Sequence, residues 1–202
     1  MNLAGGRESL ALDLYSANAL LSQSLYTPLQ ALEITLRNGI NGVLQEAYGP
    51  FWYDIPNLLK LGHQLEDVGD IKSRILHHKK KEADPISHGR IIAGFSFGFW
   101  VAMLSPDYED LWRSHIHKMV VSDAGGMNRK TFSGPLRVIR ELRNRVAHYE
   151  CILEFDLNYH YSQMVLLTGY ICPESRMWVE KISGFQGVYE SHRKVIAGVK
   201  RG

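Results

Sequence analysis

Apolar residues recur at Leu29, Leu32, Leu36, Ile40 and Leu44, the three-to-four spacing that lines up side chains on one face of an α-helix. Leu65, Val68, Ile71, Ile75 and Leu76 repeat the pattern, and so do Phe132, Leu136, Ile139, Leu142 and Val146. No stretch alternates with the period of two that a half-buried strand needs, and no internal repeat or low-complexity tract interrupts the helical signal. An all-α fold is therefore expected, a helical bundle with additional helices. The 202 residues, 45% hydrophobic and 22% charged, suit one folded domain over 1–202.

Helices are expected over about 8–24 and 28–48, with Pro28 opening the second and Gly49-Pro50 closing it. The proline-bounded segment from Phe51 to Pro56 reads as an aromatic loop over one end of the core. A helix over 64–82 follows, ending in the polar run His77-His78-Lys79-Lys80-Lys81. Residues 91–104 are apolar on nearly every side, as befits a central core helix that Gly94 and Gly98 let neighbours approach. Shorter helical patterns cover 107–121, 156–170, 177–182 and 188–199, and a long one covers 129–147 after the turn Asp123-Ala124-Gly125-Gly126.

Several function classes are disfavoured. The net charge of +2 gives no general basic excess, so any nucleic-acid contact must come from local patches. Two cysteines, Cys151 and Cys172, without CxxC spacing read as buried reduced thiols in a cytosol. No secretory signal opens the chain, and 91–104 falls short of the roughly 20 residues of a membrane span, so a cytoplasmic location without membrane contact is expected. His115-x-His117 lacks further ligands at recognisable spacing, and no Gly-rich phosphate loop is present; neither a metal nor a cofactor is expected.

The segment Arg143-Asn144-Arg145-Val146-Ala147-His148 carries the most chemistry. On a regular helix Phe132, Leu136, Ile139, Leu142 and Val146 form an inward arc, with Arg143 at its margin. Arg137, Glu141, Asn144 and His148 form a second, polar stripe. Arg143 and His148 then stand about 140° apart. They converge only if the helix end distorts or if two copies of the chain pool their residues across a two-fold axis. Histidine exchanges protons near neutrality, and an arginine fork stabilises charge on a phosphate, so together they suit RNA cleavage by the neighbouring 2′-hydroxyl. Asn144 would orient either partner. The residues also allow a structural role, which spacing alone favours, in which Arg143 pairs with a carboxylate such as Glu33 and His148 caps the helix.

The stretch from Glu141 to Glu150 resembles the Arg-Asn-x-x-x-His signature of HEPN ribonucleases. Two upstream words, Ala31 to Asn38 and Phe95-Ser96-Phe97-Gly98-Phe99-Trp100, are similar to segments of the Abi-like (abortive infection) group. The resemblance implies a HEPN-like helical fold, a homodimer around the motif helix and metal-independent RNA cleavage leaving cyclic-phosphate and 5′-hydroxyl ends. It also implies a toxin or phage-defence role, with an RNA or protein antitoxin as a further partner. By matching position it assigns Arg143 and His148 as catalytic and Asn144 as their polar helper. Arg37 and Asn38 are candidates to shape the RNA site, or Arg37 to pair with Glu33 one helical turn away. Arg137, Arg140 and Arg145 are candidate phosphate contacts, or a solvated face.

Overall fold

The computed structural model describes residues 8–77, 87–121 and 127–199, leaving aside the side chains of 8, 9 and 199. These residues are 80% helical, without a strand among them, so the protein is all-α as its periodicity requires. The helices are α1 (Glu8–Tyr48), α2 (Gly62–His77), α3 (His88–Gly94), α4 (Phe97–Ala102), α5 (Glu109–Ser114), α6 (Arg129–Ser133), α7 (Leu136–Ala147), α8 (Leu157–Ile171), α9 (Pro173–Ile182) and α10 (Phe185–Val199), with short 3-10 turns between some of them. The chain contains two compact units. One comprises Met1–Ile34 and Pro135–Gly202, the other Thr35–Gly134.

The two helices expected before residue 49 are one helix of 41 residues, with Pro28 inside it. A proline in a helix interior removes one backbone bond and costs about 3 kcal/mol. Here Pro28 is itself buried, and Leu21, Leu25 and Leu32 at 0% exposure extend a single apolar seam through it. Burial of that seam, at about 1.5–3 kcal/mol per large side chain, outweighs the local penalty.

In the first unit, Leu136, Ile139, Leu142 and Val146 of α7 are all buried, as the 3.6-residue period demands. The α8 helix starts at Asp156, whose carboxylate accepts a hydrogen bond from the Tyr159 amide at 3.2 Å. Pro173 opens α9, and at Gly169 an added Cβ would collide with the Arg176 side chain, so glycine lets α8 and α9 approach closely. Tyr161 stacks on Phe185 of α10 with ring centroids 4.5 Å apart.

The second unit is built on aromatic packing. Phe95 and Phe99 stack at 3.9 Å, and Trp52 and Trp100 are fully buried beside them, so the Phe-Gly-Phe-Trp stretch is core. The expected single helix over 91–104 is instead α3 and α4, separated at Phe95-Ser96. Ser96 caps α4 by accepting from the Phe99 amide at 3.2 Å, which ends one helix and starts another. At Gly94 a Cβ would lie 2.9 Å from Ile71 Cγ2, the close approach its sequence position suggested. Gln64, with 0% exposure, donates to the Phe99 carbonyl at 3.3 Å and accepts from the Tyr108 hydroxyl, which in turn accepts from the Lys60 amide at 2.7 Å. Burial raises the Tyr108 pKa above its ordinary 10.0, and burial together with Asp54 pushes Tyr53 up to about 12.

The expected helix over 129–147 is also two. Pro135 has no N–H to offer the Thr131 carbonyl, so α6 closes at Ser133 and α7 begins afresh at Leu136. Within the second unit Arg129 donates to Glu109 at 2.6 Å and to the Leu104 carbonyl at 2.8 Å, and its hydrogen bond holds the Glu109 carboxyl below the usual range. The tract His78 to Lys81 and the turn Asp123 to Gly126 lie outside the described residues.

Candidate functional site

The motif occupies the last turn of α7. Ala147 is the last helical residue and His148 the C-cap, its amide still bonded to the Asn144 carbonyl at 2.9 Å. Two further bonds close the helix. The Tyr149 amide donates to the Val146 carbonyl at 3.4 Å, and the Glu150 amide to the Arg145 carbonyl at 2.9 Å, the paired pattern of a Schellman cap. Such a cap needs a left-handed residue at its hinge, and glycine is the usual occupant because it has no Cβ. Here the hinge is Tyr149, at φ 59° and 89% exposed.

The chain leaving the cap is pinned from two sides. Asn18 of α1 donates to the Glu150 carbonyl at 3.2 Å and accepts from the Ile152 amide at 2.8 Å. Arg145 donates to the Cys151 carbonyl at 3.2 Å, lies 3.6 Å from Glu141 and sits over the Phe155 ring at 5.3 Å. Arg145, a candidate phosphate contact, thus holds the segment after the motif. Neither Asn18 nor the left-handed Tyr149 is apparent in sequence. The one available clue is that no glycine or proline follows Ala147 to end the helix.

Arg143 is part-exposed, and its Nε lies 3.4 Å from a carboxylate oxygen of Glu33, the pairing that a structural role for Arg143 called for. Glu33 therefore reaches across to α7 and not along α1. Arg37, expected as its alternative partner, contacts the Asn38 side chain at 3.5 Å. Arg37 is half-buried and Asn38 exposed, and both belong to the second unit. On the polar stripe of α7, Arg137, Glu141, Asn144 and His148 are all exposed, as is Arg140. Among the described residues the Asn144, His148, Arg137 and Arg140 side chains have no hydrogen-bond, ion-pair or ring partner.

Because the His148 amide keeps its helical bond, the helix is regular up to that residue, and distortion begins only at Tyr149. Arg143 and His148 of one chain therefore retain their wide angular separation about the axis. An arginine fork paired with a carboxylate, a free imidazole and a free amide lie within two turns, with the exposed Arg137 and Arg140 further back along the helix.

No group of three or more His, Cys, Asp or Glu residues is placed to hold a metal among the described residues. His117 bonds through Nδ1 to the Trp112 carbonyl at 2.9 Å, and His115 meets the Tyr48 ring edge-on. Among the described residues no helix is long and apolar enough to cross a membrane.

A family profile described as Abi-like protein matches residues 5–154, about three quarters of the chain and including the whole motif. The chain belongs to the Abi-like protein family, which points to a role in abortive infection. Neither a search of curated proteins nor one of solved structures gives a match.

Proposed function

We propose that the protein is a metal-independent endoribonuclease of the HEPN type, acting in abortive infection, with its active site shared by two copies of the chain. The observation that carries this reading is the idle state of His148 and Asn144. Both are exposed at the end of a well-anchored helix and have no partner among the described residues. Neither side chain is committed to the fold, so both are accessible to a substrate at this helix end.

The reaction follows from the residue chemistry. One His148 removes the proton from an RNA 2′-hydroxyl, and that oxygen attacks the adjacent phosphorus. The bond from phosphorus to the 5′-oxygen breaks, and a protonated imidazole, supplied by the second copy, returns a proton to the leaving oxygen. Arg143 stabilises the charge on the phosphoryl oxygens, and Asn144 orients the group beside it. The products are a 2′,3′-cyclic phosphate and a 5′-hydroxyl. Because Arg143 and His148 of one chain stand apart around the helix, pairing the Arg143 of one copy with the His148 of the other supplies the missing convergence.

A second reading is favoured by one observation, the Arg143–Glu33 pair. In that reading the protein is a helical module that holds RNA, or only itself, without cutting. Incubation with single-stranded RNA in EDTA separates the two. The nuclease reading expects cleavage that His148→Ala abolishes while folding and dimerisation persist. Cleavage that survives His148→Ala, or that requires a divalent ion, overturns the mechanism.

A further inference from the structure

Beside the C-terminal end of α7 lies a groove of about 250 Å³ between α1 and the motif cap, entirely within the first unit. Its walls include Tyr15, Ser22, Gln23 and Tyr26 from α1, and Val146 and Tyr149 from the motif. Three tyrosines thus border one small space, and Tyr15, Tyr26 and Tyr149 are 75%, 53% and 89% exposed. Cavities that enclose drug-sized ligands run to roughly 300–1,000 Å³, so this one suits a single ring system.

The chemistry of the walls narrows the occupant. None of these residues carries a formal charge, which disfavours a phosphate or an ion. The Ser22 hydroxyl is buried and has no hydrogen-bond partner, and Gln23 is exposed with its amide unpaired among the described residues. The exposed Gln23 amide offers both a donor and an acceptor to an arriving polar edge. The preferred occupant is therefore flat and aromatic on its faces, and offers hydrogen-bonding atoms along its edge. A nucleobase has that description, and stacking on tyrosine is the usual means of holding an unpaired base.

The backbone supplies an independent indication. Tyr149 follows His148 directly and occupies a left-handed conformation that a glycine would take with less strain. The Schellman bonds require the left-handed hinge but not a tyrosine there, and its almost fully exposed ring gains little from the fold, so the ring is available for a contact outside it.

We propose that this groove is a base subsite that receives one unpaired nucleobase of the RNA next to the phosphate at His148, with Tyr149 as its stacking platform. The proposal rests on the reading of the motif as an RNA site and adds how the substrate is held: as single strand, with one base turned out of the stack.

The test uses the full chain carrying His148→Ala, so that RNA is bound and not cut, and a short single-stranded RNA compared with copies holding one abasic ribose at successive positions. In this background Tyr149→Gly, which the left-handed backbone accepts, and Tyr15→Ala each weaken binding about tenfold. One abasic position costs the parent protein a similar factor and costs Tyr149→Gly nothing further. Unchanged affinity in Tyr149→Gly, or an abasic penalty that persists in it, overturns the subsite. Conversion of a dimer to a monomer by Tyr149→Gly, read by sedimentation, also overturns it, because the groove then seats a second copy. The two readings fail separately. Base-dependent binding without cleavage by the unmutated chain would remove the nuclease and keep the subsite, whereas cleavage indifferent to Tyr149 would do the reverse.

Discussion

Glu33 decides whether Arg143 is held for the fold or held for a substrate, and the pair's geometry sets the size of the effect. At 3.4 Å two unit charges attract by about 1.2 kcal/mol in the dielectric of water. The side chains are 36% and 25% exposed, so solvent and salt screen them, and pairs of this kind contribute roughly 0.2–1 kcal/mol. Glu33→Gln should therefore lower stability by less than about 1 kcal/mol in a denaturant titration. Its effect on function has the opposite sign. Removing the carboxylate removes a competitor for the arginine fork, and 0.5–1 kcal/mol released to phosphate binding is about a two- to fivefold gain in RNA affinity. Arg143→Ala, in contrast, should abolish cleavage at similarly small cost in stability. The double variant completes a cycle whose coupling energy measures the pair directly. If Glu33→Gln costs more than about 3 kcal/mol and weakens RNA binding as much as Arg143→Ala does, the pair behaves as a buried structural bridge and the argument fails.

Tyr108→Phe removes the hydroxyl that serves both Gln64 and the Lys60 amide, leaving a fully buried amide oxygen unsatisfied. A loss of about 1–3 kcal/mol is expected, and an unchanged melting temperature would contradict the network. His160 is 8% exposed with its Nδ1 unpartnered, and burial lowers its pKa from the ordinary 6.5 against the opposing pull of Asp156. The unfolded chain therefore takes up the proton first, so stability is full above pH 6.5, falls as the pH drops below it and levels off once the folded form protonates too. His160→Gln should flatten that acid-side loss in urea titrations over the same range, and a loss of equal depth would place its origin elsewhere. Tyr149→Gly should leave the melting temperature unchanged or raise it, because glycine relieves a left-handed strain of about 1 kcal/mol while loosening the unfolded chain by a similar amount. A marked drop would mean that the ring contributes to the fold after all.

The features that sequence made legible are those set by a repeating burial requirement. Leu136, Ile139, Leu142 and Val146 had to share a face, and they are buried together. What it concealed depends on a contest between a local rule and distant packing. Pro28 ordinarily marks a helix start, but a seam of leucines running past it overrules that preference. Residues 91–104 are so uniformly apolar that period alone could not reveal the break at Phe95-Ser96, where a serine cap wins over continuation. Around the motif the contrast is sharpest. Glu33 could be named as a partner for Arg143 because a carboxylate was the obvious requirement of an arginine at the edge of an apolar arc. No residue pattern announces a tyrosine in a left-handed hinge, since the usual glycine is missing, nor an asparagine whose partners lie more than 130 positions along the chain. Yet those two residues fix the path of the backbone that leaves His148. The helix is regular up to His148 and turns sharply at Tyr149, and Asn18 anchors the segment that leaves. Unwinding the backbone at His148 to carry it towards its own Arg143 would strain the Schellman bonds made by the two residues after it. On the proposed reading, a second motif helix is what brings an imidazole and a guanidinium to the same phosphate.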